Sequence, residues 1–232
     1  MVKACDNNVD RNNQINGGNI YYINGDELSD ETKVLIFGNS ITRHGIKPEI
    51  GWFNDCGMAA SSINRDYVHA LFDLMKTGGY NPCFLVSQAA KFEADFYKRD
   101  ALDFLSEERG FKPDIIILRL GDNVYHGDND GAIIPAFESL INACAVKSTR
   151  VIVTGSYFVN ENIEPLLKKL SDKNGYEFVE LCDISLKPEN RGGKDKFWHD
   201  GVALHPGDNG MKIIAERLLK KIKKLSKGTV YG

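Results

Sequence analysis

A serine, a carboxamide and a histidine are the residues of this sequence best placed to do chemistry together. Ser40 and Asn123 each follow a short apolar run, in the segments Gly38-Asn39-Ser40-Ile41-Thr42 and Gly121-Asp122-Asn123. A serine hydroxyl attacks an acyl carbonyl when a neutral imidazole within hydrogen-bond reach takes its proton. Of the five histidines, His205 stands out because the proline after it restricts its backbone at the entrance to the last helical segment. These residue types indicate acyl transfer through a serine nucleophile.

Purely structural roles stay open for the same residues. A serine after a strand is also typical of a helix N-cap or a turn, and an asparagine there is typical of a turn that ends the strand. His44 lies close to Ser40 in the sequence and is a second candidate base, placed behind His205.

The scaffold that positions these residues is predicted from five short apolar runs. The runs are continuous rather than alternating, which indicates strands buried on both faces. They are Val34 to Phe37, Cys83 to Val86, Ile115 to Leu120, Val151 to Thr154 and Phe178 to Leu181. The segments between them carry apolar residues at helical spacing, and the second of these places Phe92, Phe96, Leu102 and Leu105 on one helix face. The alternation predicts an α/β fold, a three-layer α/β/α sandwich around a parallel sheet.

The strand order decides where a site can form. If the five strands follow the common flavodoxin-like order 2-1-3-4-5, the first and third are neighbours, and ligands bind beyond their carboxyl ends. Ser40 and Asn123 follow those two ends. Residues 1–30 are predicted to form an N-terminal arm or an edge hairpin, and residues 31–232 a single domain, because no repeat or linker divides them.

The same segments resemble the sequence blocks of the SGNH hydrolases, the GDSL-like esterases and lipases. The segment around Ser40 is similar to the GDS(I/L) block, with Asn39 where aspartate is usual. Gly57 falls where the second block has its glycine, the segment ending at Asn123 is similar to the third block, G-x-N, and His205 with its proline is similar to the fifth. The four matches keep the family's order over residues 38 to 205.

The resemblance implies an enzyme, a carboxylic ester hydrolase with an assigned set of site residues. Ser40 would be the nucleophile and His205 the general base. The backbone N–H groups of Ser40 and Gly57, with the side-chain amide of Asn123, would form the oxyanion hole.

The acidic residue departs from the family pattern. The family has aspartate three residues before the histidine, whereas here that position holds Val202, and Asp200 lies five residues before His205. Either the loop bulges so that Asp200 still reaches the imidazole, or a backbone carbonyl orients the ring and the enzyme works as a Ser-His dyad.

Candidate substrate-binding residues lie in two loops. Trp52 is a candidate platform for a sugar ring or an acyl chain, although an aromatic that closes a loop over the core is an equal alternative. Tyr125 and His126 are candidates for a second wall of the substrate pocket, and Arg43 and His44 for contacts with polar substrate oxygens.

The segments Pro-Glu-Ile-Gly-Trp and His-Pro-Gly-Asp resemble segments of bacterial carbohydrate esterases, which implies acetyl esters on carbohydrates as substrates. A lipase or thioesterase, and a non-catalytic flavodoxin-like binding module, are the alternatives.

Composition and motif content limit the partners and cofactors that this chain is expected to bind. The 29 Lys and Arg against 32 Asp and Glu leave a net charge of -3, without the basic surface that nucleic-acid binding needs. No apolar run approaches the roughly 20 residues of a membrane span. The sequence contains no HExxH, paired CxxC, GxGxxG or P-loop motif, so we expect no metal and no other cofactor. The opening residues lack the apolar core of a leader, so we expect a cytoplasmic protein or one already trimmed. The oligomeric state is left open.

Overall fold

The computed structural model describes residues 20–24, 31–124 and 130–227. The strands of its sheet are β1 Ile20–Ile23, β2 Thr32–Gly38, β3 Pro82–Gln88, β4 Ile115–Arg119, β5 Arg150–Thr154 and β6 Glu177–Val179. They lie in the order β1-β3-β2-β4-β5-β6. β1 pairs antiparallel with β3, and all other neighbours are parallel.

The predicted sheet is confirmed, with one strand added. The parallel part, β3-β2-β4-β5-β6, is the order 2-1-3-4-5 of the five predicted strands. Within it Val34 of β2 lies opposite Phe84 of β3 on one side and Ile115 of β4 on the other. The extra edge strand, β1, comes from the segment predicted as an arm or edge hairpin, whose residues 1–19 and 25–30 lie outside the described part of the chain.

The α-helices lie between the strands along the chain and after the last strand. They are α1 Tyr67–Thr77, α2 Ala90–Asp95, α3 Glu107–Phe111, α4 Asp130–Cys144, α5 Ile163–Asn174, α6 Cys182–Ser185, α7 Asp200–Leu204 and α8 Asp208–Lys227. One prediction is wrong: the segment from Phe92 to Leu105 is not a single helix, because α2 ends at Asp95 and turns follow. Phe96 and Leu102 are six positions apart, so a continuous helix would have no large apolar side chain on its inner face for more than a turn.

Both faces of the sheet are covered. Val34 and Ile36 of β2 pack in the core layer that includes α1 and α8, while Leu35 and Phe37 pack in the layer that includes α4 and α5. This alternation is the strand period of two, and it confirms the three-layer sandwich. None of the helices in the described ranges combines the length and the apolar composition that crossing a membrane requires.

Candidate active site

The turn after β2 presents Ser40 at the carboxyl edge of the sheet. The carbonyl of Asn39 accepts the N–H groups of Thr42 and Arg43 at 2.9 and 3.0 Å, which reverses the chain within a few residues. Gly38 is required before this turn, since a Cβ at Gly38 would lie 1.8 Å from Oγ1 of Thr42. The tight turn leaves the Ser40 side chain partly exposed while its neighbours on both sides are buried.

His205 contacts Ser40 directly. Its Nε2 lies 2.8 Å from Ser40 Oγ, and its Nδ1 lies 2.6 Å from the carbonyl oxygen of Gly201. Because a carbonyl oxygen only accepts, Nδ1 carries the proton and Nε2 is left as the acceptor for the Ser40 hydroxyl. This is the geometry that a serine needs to be deprotonated during attack on a carbonyl.

Asp200 does not contact His205, which corrects the triad expectation. Its side chain is 71% exposed and pairs with Nζ of Lys194 at 2.8 Å. Asp200 is the first residue of helix α7, and His205 directly follows its last residue, Leu204. The group that meets the imidazole is therefore the carbonyl of Gly201, four residues earlier, which is the dyad alternative of the sequence analysis.

A second segment holds the backbone of His205 in place. Gly192 N–H donates to the His205 carbonyl at 2.8 Å, and Gly207 N–H donates to the carbonyl of Asn190 at 2.9 Å. The ring of Phe158 meets the imidazole edge to face, with centroids 5.4 Å apart. The imidazole is thus held by backbone pairing and by ring packing.

The surroundings keep His205 neutral. Burial lowers the pKa of His205 to about 4, although part of its side-chain surface stays accessible, and the Gly201 carbonyl and the charge of Asp122 only partly oppose this effect. At neutral pH the imidazole therefore holds a single ring proton and can accept one from Ser40.

Asn123 and the Ser40 backbone are the donors left for an oxyanion. Asn123 Nδ2 donates one proton to Oε2 of Glu93 at 2.7 Å, which leaves its second proton for another acceptor. Within the described residues, no backbone acceptor pairs with the Ser40 N–H. The arrangement provides two candidate oxyanion donors from neighbouring strand ends.

Gly57 differs from the expectation. Its N–H donates to Oδ2 of Asp66 at 3.4 Å, so its one proton is already directed at a carboxylate. Asp66 is buried at the start of α1, where its other oxygen accepts the His69 N–H at 2.9 Å. A buried carboxylate accepts hydrogen bonds from the donors around it. Here Asp66 accepts one from the N–H that the resemblance assigned to the oxyanion hole.

Comparison with known proteins shows the fold through solved structures. Protein-family models and curated proteins give no match. A psychrotrophic esterase from a Pseudoalteromonas species superposes with a TM-score of 0.57 at 14% identity, over 84% of this chain and 99% of that one. A Bacteroides ovatus protein assigned as a GDSL-like lipase gives 0.54 at 15% identity, over 84% and 100%. A family two carbohydrate esterase from Cellvibrio japonicus gives 0.53 at 13% identity, over 83% and 61%. The chain has the SGNH-hydrolase fold.

Within this SGNH fold, the predicted aromatic platform is part of the core. Trp52 is 1% exposed, its indole N–H donates to the carbonyl of His44 at 3.0 Å, and its ring packs against Phe197. The alternative of the sequence analysis, an aromatic that closes a loop over the core, is the one the structure has. Trp198, which the sequence analysis did not single out, is an exposed aromatic beside this loop.

The remaining candidate substrate-binding residues are Arg43, His44, Tyr125 and His126. Arg43 is buried and bonds Asp55 through two nitrogens, both at 2.9 Å, so its charge is already paired. His44 donates from Nδ1 to the Gly45 carbonyl at 2.6 Å, and burial lowers its pKa. A positive charge on His44 would lower the pKa of His205. Tyr125 and His126 lie outside the described residues.

The site also contains a buried charge network that the sequence analysis missed. Asp122 pairs with the Arg119 guanidinium and accepts the Tyr157 N–H at 2.8 Å, while Glu93 contacts Asn39 and Asn123. Burial alone would raise the pKa of Asp122, but Arg119 and Asn39 hold it below its usual range. Glu93 carried no signal in the sequence, because a lone glutamate in a helical segment is ordinarily solvated. Across the described ranges, no three His, Cys, Asp or Glu side chains converge as a metal site would require.

Proposed function

We propose that this protein is a serine ester hydrolase that removes small acyl groups through a Ser40–His205 dyad. The observation that carries the proposal is the 2.8 Å contact between Ser40 Oγ and His205 Nε2, with the ring oriented by the Gly201 carbonyl. The esterases among the structures of the same fold support it.

The reaction would proceed in two steps, acylation of Ser40 and then deacylation by water. Ser40 Oγ attacks the ester carbonyl carbon while His205 Nε2 takes its proton, and the tetrahedral oxyanion is met by Ser40 N–H and Asn123 Nδ2. Collapse expels the alcohol, which receives the proton from Nε2, and leaves an acyl group on Ser40. Water then attacks this ester with His205 as its base, and the carboxylic acid leaves as Ser40 recovers its proton.

A dyad of this kind stabilises its intermediate less than a triad does. The imidazolium formed during attack is stabilised at Nδ1 by a neutral carbonyl rather than by a carboxylate in contact. The lowered pKa of His205 points the same way, because the charged ring is the disfavoured form. We therefore expect a functional base with a modest catalytic rate.

Acetyl esters on carbohydrates are the substrate class we propose. One neighbour in fold is named as a carbohydrate esterase. Trp198 supports the sugar part: its side chain is 70% exposed, and its indole lies over Gly51, where a Cβ would come within 2.4 Å of Nε1. Trp198 thus joins the segment that leads to His205 to the loop that follows Ser40. Exposed indoles stack on the apolar faces of sugars.

Hydrolysis of p-nitrophenyl acetate by the wild type and by Ser40→Ala tests the reaction. We expect Ser40→Ala to lower the rate by about 10³-fold or more, as loss of a nucleophile does. Ser139→Ala is the matched control, because Ser139 is an exposed serine on α4 whose hydroxyl bonds the Pro135 carbonyl of its own helix. Equal rates in wild type and Ser40→Ala would overturn the mechanism.

Labelling and acyl-chain preference separate the alternatives. One of the related esterases was crystallised in a form inhibited by monoethylphosphonate, so an ethyl fluorophosphonate probe is an appropriate label for Ser40. Stoichiometric labelling of wild type and none of Ser40→Ala supports the proposal, whereas an unlabelled wild type indicates a binding module. A preference for octanoyl over acetyl esters would replace the acetylesterase by a lipase or thioesterase.

A further inference from the structure

Glu93 is a buried acid directly beneath the two strand ends of the dyad site. Its side chain is fully buried in α2, the short helix that follows β3. Ala89 N–H donates to the Gly38 carbonyl at 2.6 Å, which fastens the start of α2 to the end of β2. The helix thereby places a carboxylate between the Ser40 turn and the Asn123 turn.

Within the described residues, the hydrogen bonds of this carboxylate all come from donors in those two turns. Oε2 accepts Nδ2 of Asn123 at 2.7 Å, and Oε1 accepts the backbone N–H groups of Asn123, at 3.1 Å, and of Gly121. Nδ2 of Asn39 lies 3.2 Å from Oε2 and 3.3 Å from Oε1. Glu93 is therefore the common acceptor that ties the third-block segment to the nucleophile segment.

The contacts also fix the form of Glu93. Burial and the charge of Asp122 raise its pKa, but the N–H groups of Gly121 and Asn123 favour the carboxylate. A protonated Glu93 would direct its own O–H at groups that are themselves donors, so the observed set fits the ionised form. An ionised acceptor in turn requires the nitrogen, not the oxygen, of the Asn123 amide to face it.

We propose that Glu93 is the positioning residue of the oxyanion hole: by binding one Nδ2 proton of Asn123, it directs the other toward the carbonyl oxygen of an ester bound at Ser40. This role rests on the proposed esterase function. In the family pattern an aspartate precedes the serine, whereas here Asn39 occupies that position and donates to Glu93. The carboxylate that meets both Asn39 and Asn123 thus comes from α2.

The substitution Glu93→Gln tests the role. The glutamine amide would present a donor N–H to a cluster of donors, so the Asn123 amide would lose its fixed orientation. We expect kcat for p-nitrophenyl acetate to fall about 10- to 100-fold, short of the 10²–10³ that loss of a whole oxyanion donor costs, while KM changes less than about 3-fold.

Glu108→Gln is the matched control for burial. Glu108 is also fully buried and accepts two hydrogen bonds, from Ser87 Oγ at 2.7 Å and Ser106 N–H at 3.0 Å, neither of which belongs to the site. We expect both glutamine variants to melt at lower temperature, and only Glu93→Gln to lose kcat. A loss of kcat that merely followed stability would appear in both variants.

A double-mutant cycle with Asn123→Ala gives the deciding result. If Glu93 acts through Asn123, Glu93→Gln changes kcat less than about 2-fold once Asn123 is replaced by alanine. If Glu93→Gln does not fold, Glu93→Asp, which keeps the charge but shortens its reach, serves in the same cycle. An active wild type with full kcat in the Glu93 variants, or with unchanged losses in the Asn123→Ala background, would overturn this role alone. An inactive and unlabelled wild type would overturn the esterase proposal and this role together.

Discussion

The group that orients His205 is the backbone carbonyl of Gly201, so the carboxylate of Asp200 should be dispensable. We expect Asp200→Asn to leave kcat/KM for p-nitrophenyl acetate within about 2-fold of wild type, because its carboxylate is exposed and pairs with Lys194 rather than with the imidazole. Asp183→Asn is a matched control, since Asp183 is also exposed and pairs with Arg217. A tenfold loss confined to Asp200→Asn would mean that the loop rearranges to form a triad.

Single site residues are predictable from the sequence where a side chain has one partner of fixed type. Ser40 and His205 were chosen because a hydroxyl needs a base, and the structure brings them together. Gly57 and Trp52 were assigned to the site as well, but their atoms are engaged by Asp66 and by the His44 carbonyl. Backbone N–H directions and loop closure depend on the path that the chain takes within each loop, which motif spacing does not encode.

At the scale of elements, His205 depends on a backbone pairing that lies apart from the sheet. The segment from Asn190 to Gly192 runs alongside the residues that follow α7, and a Cβ at Gly207 would lie 2.5 Å from the carbonyl oxygen of Arg191. We expect Gly207→Ala to push these segments apart, to lower stability by about 1–3 kcal/mol and to lower kcat. Urea unfolding and steady-state kinetics of the same preparation measure both effects.

Gly110→Ala provides the control for that substitution. Gly110 lies within α3, where an added Cβ meets no atom within 4 Å. Alanine favours a helix over glycine, so this variant should be as stable as wild type or more stable by about 0.5 kcal/mol, with unchanged kcat. If Gly207→Ala behaves like Gly110→Ala, the pairing does not position His205.

The strands were predictable as elements and the short helices were not. Continuous apolar runs such as Ile115 to Leu120 mark strands buried on both faces, and this signal led to the parallel order. α2 and α3 are each shorter than two turns, which is too short for a 3.6-residue period to define a face. Glu93 lies in one of these helices, so no pattern in the chain indicated its place under the site.

At the scale of the whole molecule, the neutral imidazole of His205 couples the site to acid stability. Its pKa of about 4 in the folded protein lies below the ordinary 6.5, so the unfolded chain binds the proton more readily. The contribution of neutral His205 to the free energy of unfolding is complete above pH 6.5 and is lost as the pH falls from 6.5 to about 4. The shift corresponds to at most about 3 kcal/mol, reduced by the accessible part of the ring.

Urea unfolding of wild type and His205→Asn between about pH 7 and pH 4 measures this coupling. Asparagine does not titrate, so we expect the free energy of unfolding of the variant to fall less steeply across this range than that of the wild type. Glu93, whose raised pKa acts in the opposite direction as the pH falls, is present in both proteins and cancels in the comparison. Identical slopes would show that His205 titrates alike in the folded and unfolded chains, so that its neutral form would not be set by the fold around the dyad.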